Sequence, residues 1–365
     1  MYIVTNNTHT LFLFGLINYL LGFAFQSSII FIPLLGAELG ANNFQVGLIG
    51  SVYGAAFLVS SLISGWKSDT MGRLLFMRWG LFISSLAFAS QLLADSVFLL
   101  TLSRGAVGLA MGISTAATIA YAFEKGMDMG KFSSYGSLGW IFSALTAAFV
   151  NSIPLLFLFS AIACMLAFFT TILFREAPPQ QAQKPPDLWQ VLRRGARVYF
   201  AVAIRHIGAT SVWIILPLHM VALGMDKFWI SITWMANFSV QFIVMRYLER
   251  FPERKLFAFG QVISVVVFSS LIFAVSKISI LAIQMLLGVA WSLLYVGALL
   301  IILKSGEERG TAGGIFQSTL NLCAAIGPLL GGLIAQIWGF HSVMLFAAGM
   351  GILGMLIAIP QSAKE

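Results

Sequence analysis

The chain has 365 residues, 59% of them apolar and only 9% charged, with a mean hydropathy of +0.93 and a formal net charge of +8. Soluble domains carry roughly 25% charged residues, so a soluble globule is excluded and a polytopic membrane protein is indicated. The two cysteines, Cys164 and Cys323, fall in apolar runs of opposite halves and read as small core residues, not as a disulfide or a metal pair.

A bilayer core about 30 Å thick takes roughly 20 apolar residues per helix. No barrel-like alternation is visible, so the spans are expected to be helices. The opening MYIVTNNTHT has no basic region and leads into a run too long for a signal peptide, Leu11 to Leu35, which reads as a retained helix. Five further runs follow: Phe44 to Trp66, Leu74 to Leu93, Val97 to Ala122, Ser134 to Val150 and Pro154 to Phe174. Hydrophobicity then drops across REAPPQQAQKPPDLWQVLRRGAR, whose two Pro-Pro pairs cannot continue a helix. The second set comprises Val198 to Leu223, Phe228 to Met245, Leu256 to Val275, Ile278 to Leu303, Ala312 to Ile337 and Val343 to Ile359. The expected organisation is therefore a six-helix bundle over residues 1–174, a cytoplasmic linker over 175–196 and a second six-helix bundle over 197–365.

With the N-terminus on the cytoplasmic side, 17 of the 21 basic residues fall in cytoplasmic loops and tails, and only Lys227 and Lys277 face the other side. The positive-inside rule then predicts that both termini are cytoplasmic, in a plasma or inner membrane. The basic excess is accounted for by topology, and no nucleic-acid partner is expected.

The chain also repeats itself. The charged turn GWKSDTMGR, Gly65 to Arg73, has a degraded copy in YLERFPER, with Asp69 opposite Glu249 and Gly72 opposite Pro252. LGANNF at Leu39 matches LGMDKF at Leu223, Gly108 sits opposite Gly288, and GMDMG at Gly126 matches GEERG at Gly306. Weak symmetry between six-helix halves is a mark of duplicated transporter folds.

These residues resemble the major facilitator superfamily, whose turn between the second and third helices reads roughly G-x-x-x-D-R/K-x-G-R/K. Gly65, Asp69, Gly72 and Arg73 match it, while Thr70 stands where a basic residue is usual. RGAVGLAMG from Arg104 is similar to that family's fourth-helix motif, and ERGTAGG from Glu308 enters the eleventh helix. GPLLGG from Gly327 resembles an antiporter motif but stands in the eleventh helix instead of the fifth, so no exchange mechanism is carried over. YGSLGW from Tyr135 faintly resembles the fifth-helix start of sugar and nucleoside symporters. The resemblance implies an all-α membrane fold of twelve helices in two pseudo-symmetric bundles, working by alternating access.

It also implies a gate. Asp69 would face the positive N-terminal end of the eleventh helix, Arg73 would pair with Glu124, Gly65 would allow close helix approach, and Glu249 would serve in the second copy. Such a cluster would bias a two-state equilibrium by about 1 to 3 kcal/mol.

All thirteen acidic residues fall in loops or at helix ends, whereas Arg104, Arg205 and His206 lie at membrane depth. Each arginine is about eight residues, or about 12 Å, from its nearer surface. A buried arginine stays charged and needs a partner, and an anionic substrate, backbone carbonyls or water could supply one. Polar stripes suggest the same cavity: Gln284, Gly288, Trp291 and Tyr295 share a face of the tenth helix, Asn18, Gly22 and Gln26 one of the first, and Trp234, Asn237 and Gln241 one of the eighth. Such residues also serve as interhelical glue.

No nucleophile-base pair, Walker loop or metal-ligand cluster is readable, so neither an enzyme nor a cofactor is expected. The expected function is secondary transport of a small molecule by a monomer, with a small organic anion as cargo and Arg104, Arg205, His206, Gln284, Trp291, Tyr295, Asn18 and Gln26 around it. Protons, carried by His206 or the substrate, or a counter-transported anion are the expected coupling partners. The alternatives are a drug or lipophile exporter and a non-transporting sensor of the same fold.

Overall fold

The computed structural model describes residues 7–127, 129–174, 188–306 and 309–358, and every regular element in them is helical. In chain order these are α1 (Asn7–Ile29), α2 (Ile32–Glu38), α3 (Asn43–Met71), α4 (Arg73–Ser90), α5 (Val97–Glu124), α6 (Met129–Phe149) and α7 (Ile153–Thr171). The second set is α8 (Leu188–Ala222), α9 (Lys227–Met245), α10 (Glu253–Ile272), α11 (Lys277–Lys304), α12 (Arg309–Trp338) and α13 (Phe340–Ala358). Pro33 lacks an N–H and sits just after a turn at Ile30 and Phe31, so α2 continues α1 across one break. Counting that pair as one crossing, eleven spans among the described residues are long and apolar enough to cross a bilayer. The twelfth is α6, diluted by the serines and glycines of YGSLGW. The second half opens with α8 at Leu188, so residues 188–196 of the expected connection are helical, and 175–187 lie outside the described residues.

The repeat seen in the sequence is a repeat of packing. LGANNF and LGMDKF turn alike: Gly40 and Gly224 take positive φ (89° and 74°), and two residues on, Asn42 and Asp226 cap α3 and α9 by accepting from Gln45 N and Trp229 N, each at 2.9 Å. Gly80 of α4 lies against the backbone of Ser114, and Gly260 of α10 against that of Leu294. Gly108 of α5 touches the Tyr53 carbonyl, and Gly288 of α11 the Asn237 carbonyl. In every pair a side chain would enter the neighbouring helix, which is why the glycines recur where other residues drifted.

The halves meet along α3 with α12 and α6 with α9. Contact is concentrated at the end remote from the α3–α4 turn. There, a methyl at Gly47 would stand 2.9 Å from Gly332 Cα, and one at Gly54 would stand 2.7 Å from Ala325 N. Asn43 N donates to Gln336 Oε1 at 3.0 Å, Lys227 Nζ lies 3.5 Å from Glu38 Oε1, and Phe149 meets Phe228 across α6 and α9 at 6.2 Å. One apolar core runs through both halves at this end, from Phe31, Val46 and Phe157 to Ile215, Phe268 and Met344.

At the other end, called the basic end for its lysines and arginines, the cores separate. One holds only residues of the first half, such as Phe14, Met77 and Tyr121, and another only residues of the second, such as Tyr199, Leu294 and Phe316. The close approach expected at Gly65 is not present: a Cβ there, or at Gly314 of α12, would meet nothing within 4 Å. The same two helices that touch backbone to backbone near Gly47 have diverged by Gly65. The space between the halves therefore opens at the basic end.

Gly54→Leu is expected to pry α3 from α12 at the closed end, costing about 1 to 3 kcal/mol of overpacking. Distance measurements between labels on the α2–α3 and α12–α13 turns should lengthen, while Gly65→Ala leaves both that distance and the melting temperature unchanged.

Candidate functional site

The second half carries a run of aromatic rings, in which Trp213, Trp291 and Tyr295 are half-buried and His206 and Phe316 are buried. His206 of α8 stacks on Trp291 of α11 with centroids 4.9 Å apart and planes 21° from parallel, and Trp213 meets His206 edge-on at 5.2 Å. Tyr295 follows Trp291 at 5.4 Å, and Phe316 of α12 follows Tyr295 at 5.5 Å. The result is a run of five rings from α8 through α11 to α12. Trp213 and Phe316 were not anticipated, although Trp213 lies seven residues beyond His206 and so shares its helix face.

Beside this run, Gln284 accepts from Asn237 Nδ2 at both its backbone oxygen (2.7 Å) and its Oε1 (3.1 Å), and Gln241 Nε2 donates to Asn237 Oδ1 at 2.5 Å. Trp234 stacks on Phe238 at 5.7 Å, and Phe238 reaches Trp140 of the first half at 5.4 Å. Several buried groups here have no hydrogen-bond partner: Nε1 of Trp213 and of Trp234, Nε2 of Gln284, Nδ1 of His206 and Oε1 of Gln241.

Other predicted residues stand elsewhere. Asn18 donates to the Phe132 carbonyl at 2.6 Å and so ties α1 to α6, and Gln26 is buried beside Ser27, whose hydroxyl shares a 2.8 Å bond with Ser143 of α6. Arg104 is buried inside the first half. Its Nη1 donates to Ser28 Oγ at 2.8 Å and Gln91 Oε1 at 3.3 Å, and its Cζ lies 4.5 Å above the Tyr53 ring. The equivalent place in the second half is held by Gln284 with Asn237, a neutral version of the same contact. Arg205 was expected to face the cavity, and the structure corrects this. Its Nε donates to Ser264 Oγ of α10 at 3.0 Å, and its Cζ lies 5.2 Å from the Phe268 ring and 5.6 Å from that of Trp291. It thus sits behind Trp291, inside the second half.

At the basic end Gly72 takes φ +99°, a conformation an L side chain strains to adopt, and this lets α3 turn directly into α4. Arg73 Nε then donates to Glu124 Oε1 at 2.9 Å, and Nη1 to Ser68 Oγ at 2.7 Å and the Gly65 carbonyl at 3.2 Å. In the second half Lys304 Nζ donates to Glu253 Oε2 at 2.9 Å. Residues 73 and 124 correspond to 253 and 304, so one ion pair is kept with its polarity reversed. The side chains of Asp69 and Glu249 lie outside the described residues.

Among the described residues no Asp or Glu is buried, and no three His, Cys, Asp or Glu side chains gather as a metal site. Both cysteines are buried and free, as small core residues. A depression of about 670 Å³ at the closed end, lined by Leu34, Glu38, Leu218 and Phe228 among others, shares no residue with the aromatic run.

Two duplicated helix bundles, joined at one end and parted at the other, define a polytopic α-helical membrane protein. Residues 11–240 and 198–365 match the Major Facilitator Superfamily model, and the chain belongs to that family. It is 21% identical over 350 residues, 90% of each chain, to the quinolone resistance protein NorA of Staphylococcus aureus (strain MSSA476). A segment of 104 residues, 28% of this chain and 26% of the other, is 31% identical to the sialic acid transporter NanX of Escherichia coli (strain K12). Among solved structures, the nucleoside transporter NupG superposes with a TM-score of 0.78 at 12% identity, covering 97% of this chain and 99% of its own. The human organic anion transporter MFSD10 superposes at 0.76 with 17% identity, covering 97% and 99%. The protein is a multi-pass secondary transporter of a small molecule.

The Arg73–Glu124 pair is partly exposed (19% and 37%) and so contributes at most about 1 kcal/mol. Arg73→Glu, which opposes two carboxylates, is expected to lower the melting temperature by a few degrees. Combining it with Glu124→Lys, the order used by the second half, should recover about half of that loss in a double-mutant cycle.

Proposed function

We infer that the cargo is a small organic anion, held between the halves against the ring run of α8, α11 and α12. The observation that carries this reading is an imbalance. Around the ring run no carboxylate is buried among the described residues, and the unpartnered groups there are mostly N–H donors: Nε1 of Trp213 and of Trp234 and Nε2 of Gln284. A cationic cargo would find nothing to neutralise it there, whereas an acceptor-rich anion satisfies donors that otherwise cost free energy when buried dry.

In this reading Trp291, Tyr295, His206 and Trp213 supply flat apolar contact, and Gln284 and Gln241 supply polar contacts. Arg104 contributes positive potential from inside the first half. The relatives named for sialic acid and for organic anions support the same class. Among the described residues no buried carboxylate is placed to shuttle protons, so coupling in this reading falls to exchange against another anion or to a proton carried by the substrate or by His206.

The lysines and arginines at the open end support a cytoplasmic placement of both termini and of that opening. The state described is then inward-facing. Alternation requires α3 and α12 to part near Gly47 and meet near Gly65 and Gly314, the small residues left uncovered here. Gly72, Arg73 and Glu124, with Asp69 and Glu249 as the acidic members, would form the gate that steadies the second arrangement. The Glu38–Lys227 pair would open at the same step.

A drug-exporter reading is favoured by one observation, the five-ring run itself, which suits flat lipophiles, and by the relative named for quinolone resistance. Flux separates the two. Proteoliposomes are expected to accumulate carboxylated substrates saturably and to ignore cationic dyes, with Trp291→Ala raising KM at least tenfold. Saturable transport of cationic dyes with no response to carboxylates would overturn the anion reading, and ligand binding without flux would indicate a sensor.

The gate has its own test. Cysteines at positions 65 and 314 in a Cys164→Ala/Cys323→Ala background should fail to crosslink in the state shown here. They should crosslink under turnover, trapping the carrier and abolishing transport.

A further inference from the structure

The duplication provides a control for the strangest residue in the second half. The α1 and α8 segments align through Ser27 with Ser211 and Pro33 with Pro217, which places Arg205 opposite Leu21. The α4 and α10 segments align through Gly80 with Gly260, which both pack on an equivalent neighbour, and this places Gln261 opposite Leu81 and Ser264 opposite Ser84. Leu21 and Leu81 are buried in the first half's apolar core. Two leucines therefore suffice to pack this site, and packing does not explain why its twin holds a cation and an amide.

Arg205 and Gln261 are each 0% exposed. Nη1 and Nη2 of Arg205 have no hydrogen-bond partner, and neither does Nε2 or Oε1 of Gln261. The two side chains flank the same glycine, since a Cβ at Gly354 of α13 would stand 3.1 Å from Arg205 Cβ and 3.2 Å from Gln261 Oε1. Ser264 takes the remaining guanidinium N–H, and Phe268 and Trp291 wall the site with rings. An ionised group so far from water and without a counter-charge is strongly disfavoured.

We propose that Arg205, held in place by Ser264, and Gln261 form a resident site for a small inorganic anion, a halide, inside the second half and separate from the cargo site. The chemistry selects that ligand. The two Nη nitrogens, with four N–H donors between them, need acceptors, and an amide can turn Nε2 to an anion and Oε1 to the guanidinium, so one ion gives a partner to both side chains. Rings and the α13 backbone close the site around a fully buried head, which suits a monoatomic ion and excludes an organic acid. The bound halide would neutralise Arg205 and fix the back of Trp291, whose other face carries His206.

The test uses the purified full-length protein without cargo, so it is independent of the transported substrate. Melting is measured in sodium chloride, sodium bromide and sodium gluconate at equal ionic strength. A saturable rise of a few degrees in chloride and bromide over gluconate is expected. Arg205→Leu/Gln261→Leu, which copies the first half, is expected to fold and to melt alike in all three salts. Bromide anomalous scattering from crystals of the unaltered protein should place an ion at the Arg205 guanidinium. Equal melting of the unaltered protein in all salts, halide dependence that persists in the double-leucine variant, or bromide bound only elsewhere would each overturn the proposal.

Discussion

The structure depends on the backbone contact between α3 and α12. Gly47, Gly54 and Gly332 bring the two helices closer than side chains allow, and Asn43 and Gln336 hydrogen-bond across the same seam. In a membrane, where helices gain nothing from hiding apolar surface from water, such close van der Waals packing is a main source of association. The same two helices are in tight contact at one end and apart at the other, with Pro328 interrupting α12 beside the contact. The shared apolar core at the closed end and the split cores at the basic end follow from it.

The duplication separates what packing demands from what chemistry demands. Glycines that accept a neighbouring backbone recur in both halves, because nothing larger fits: Gly80 with Gly260, and Gly108 with Gly288. The polar positions between them have diverged. Arg104 over Tyr53 became Gln284 with Asn237, Arg73 with Glu124 became Glu253 with Lys304, and a leucine pair became Arg205 with Gln261. The reversed ion pair shows that what matters at that spot is opposite charge across two helix ends, not which helix carries which sign.

Much of the architecture was legible in the chain because bilayer burial demands long apolar runs, and the repeat relates the two halves. The site was legible only in part. Helical spacing put Trp291 and Tyr295 on one face with Gly288 and Gln284, yet it could not say that Gly288 and Gln284 would be used against α9 while Trp291 met α8 and Tyr295 met α12. The expectation for Arg205 went astray for the same reason. Spacing does not tell whether a buried cation looks into the cleft or into its own bundle. Trp213 was missed because a single tryptophan in an apolar run carries no periodic signal of its own.

Composition and order of residues decide that this chain crosses the membrane twelve times, in two related halves, with its basic loops gathered at one end. Those properties come from the interaction of each segment with its solvent, and each segment carries that information locally. Which arginine meets which partner, that Gly65 stands open while Gly54 is closed, and that five rings from three helices form one continuous run were decided only when the helices packed. They depend on rotation and tilt of one helix against another, set by contacts between residues hundreds of positions apart, and no local pattern encodes them.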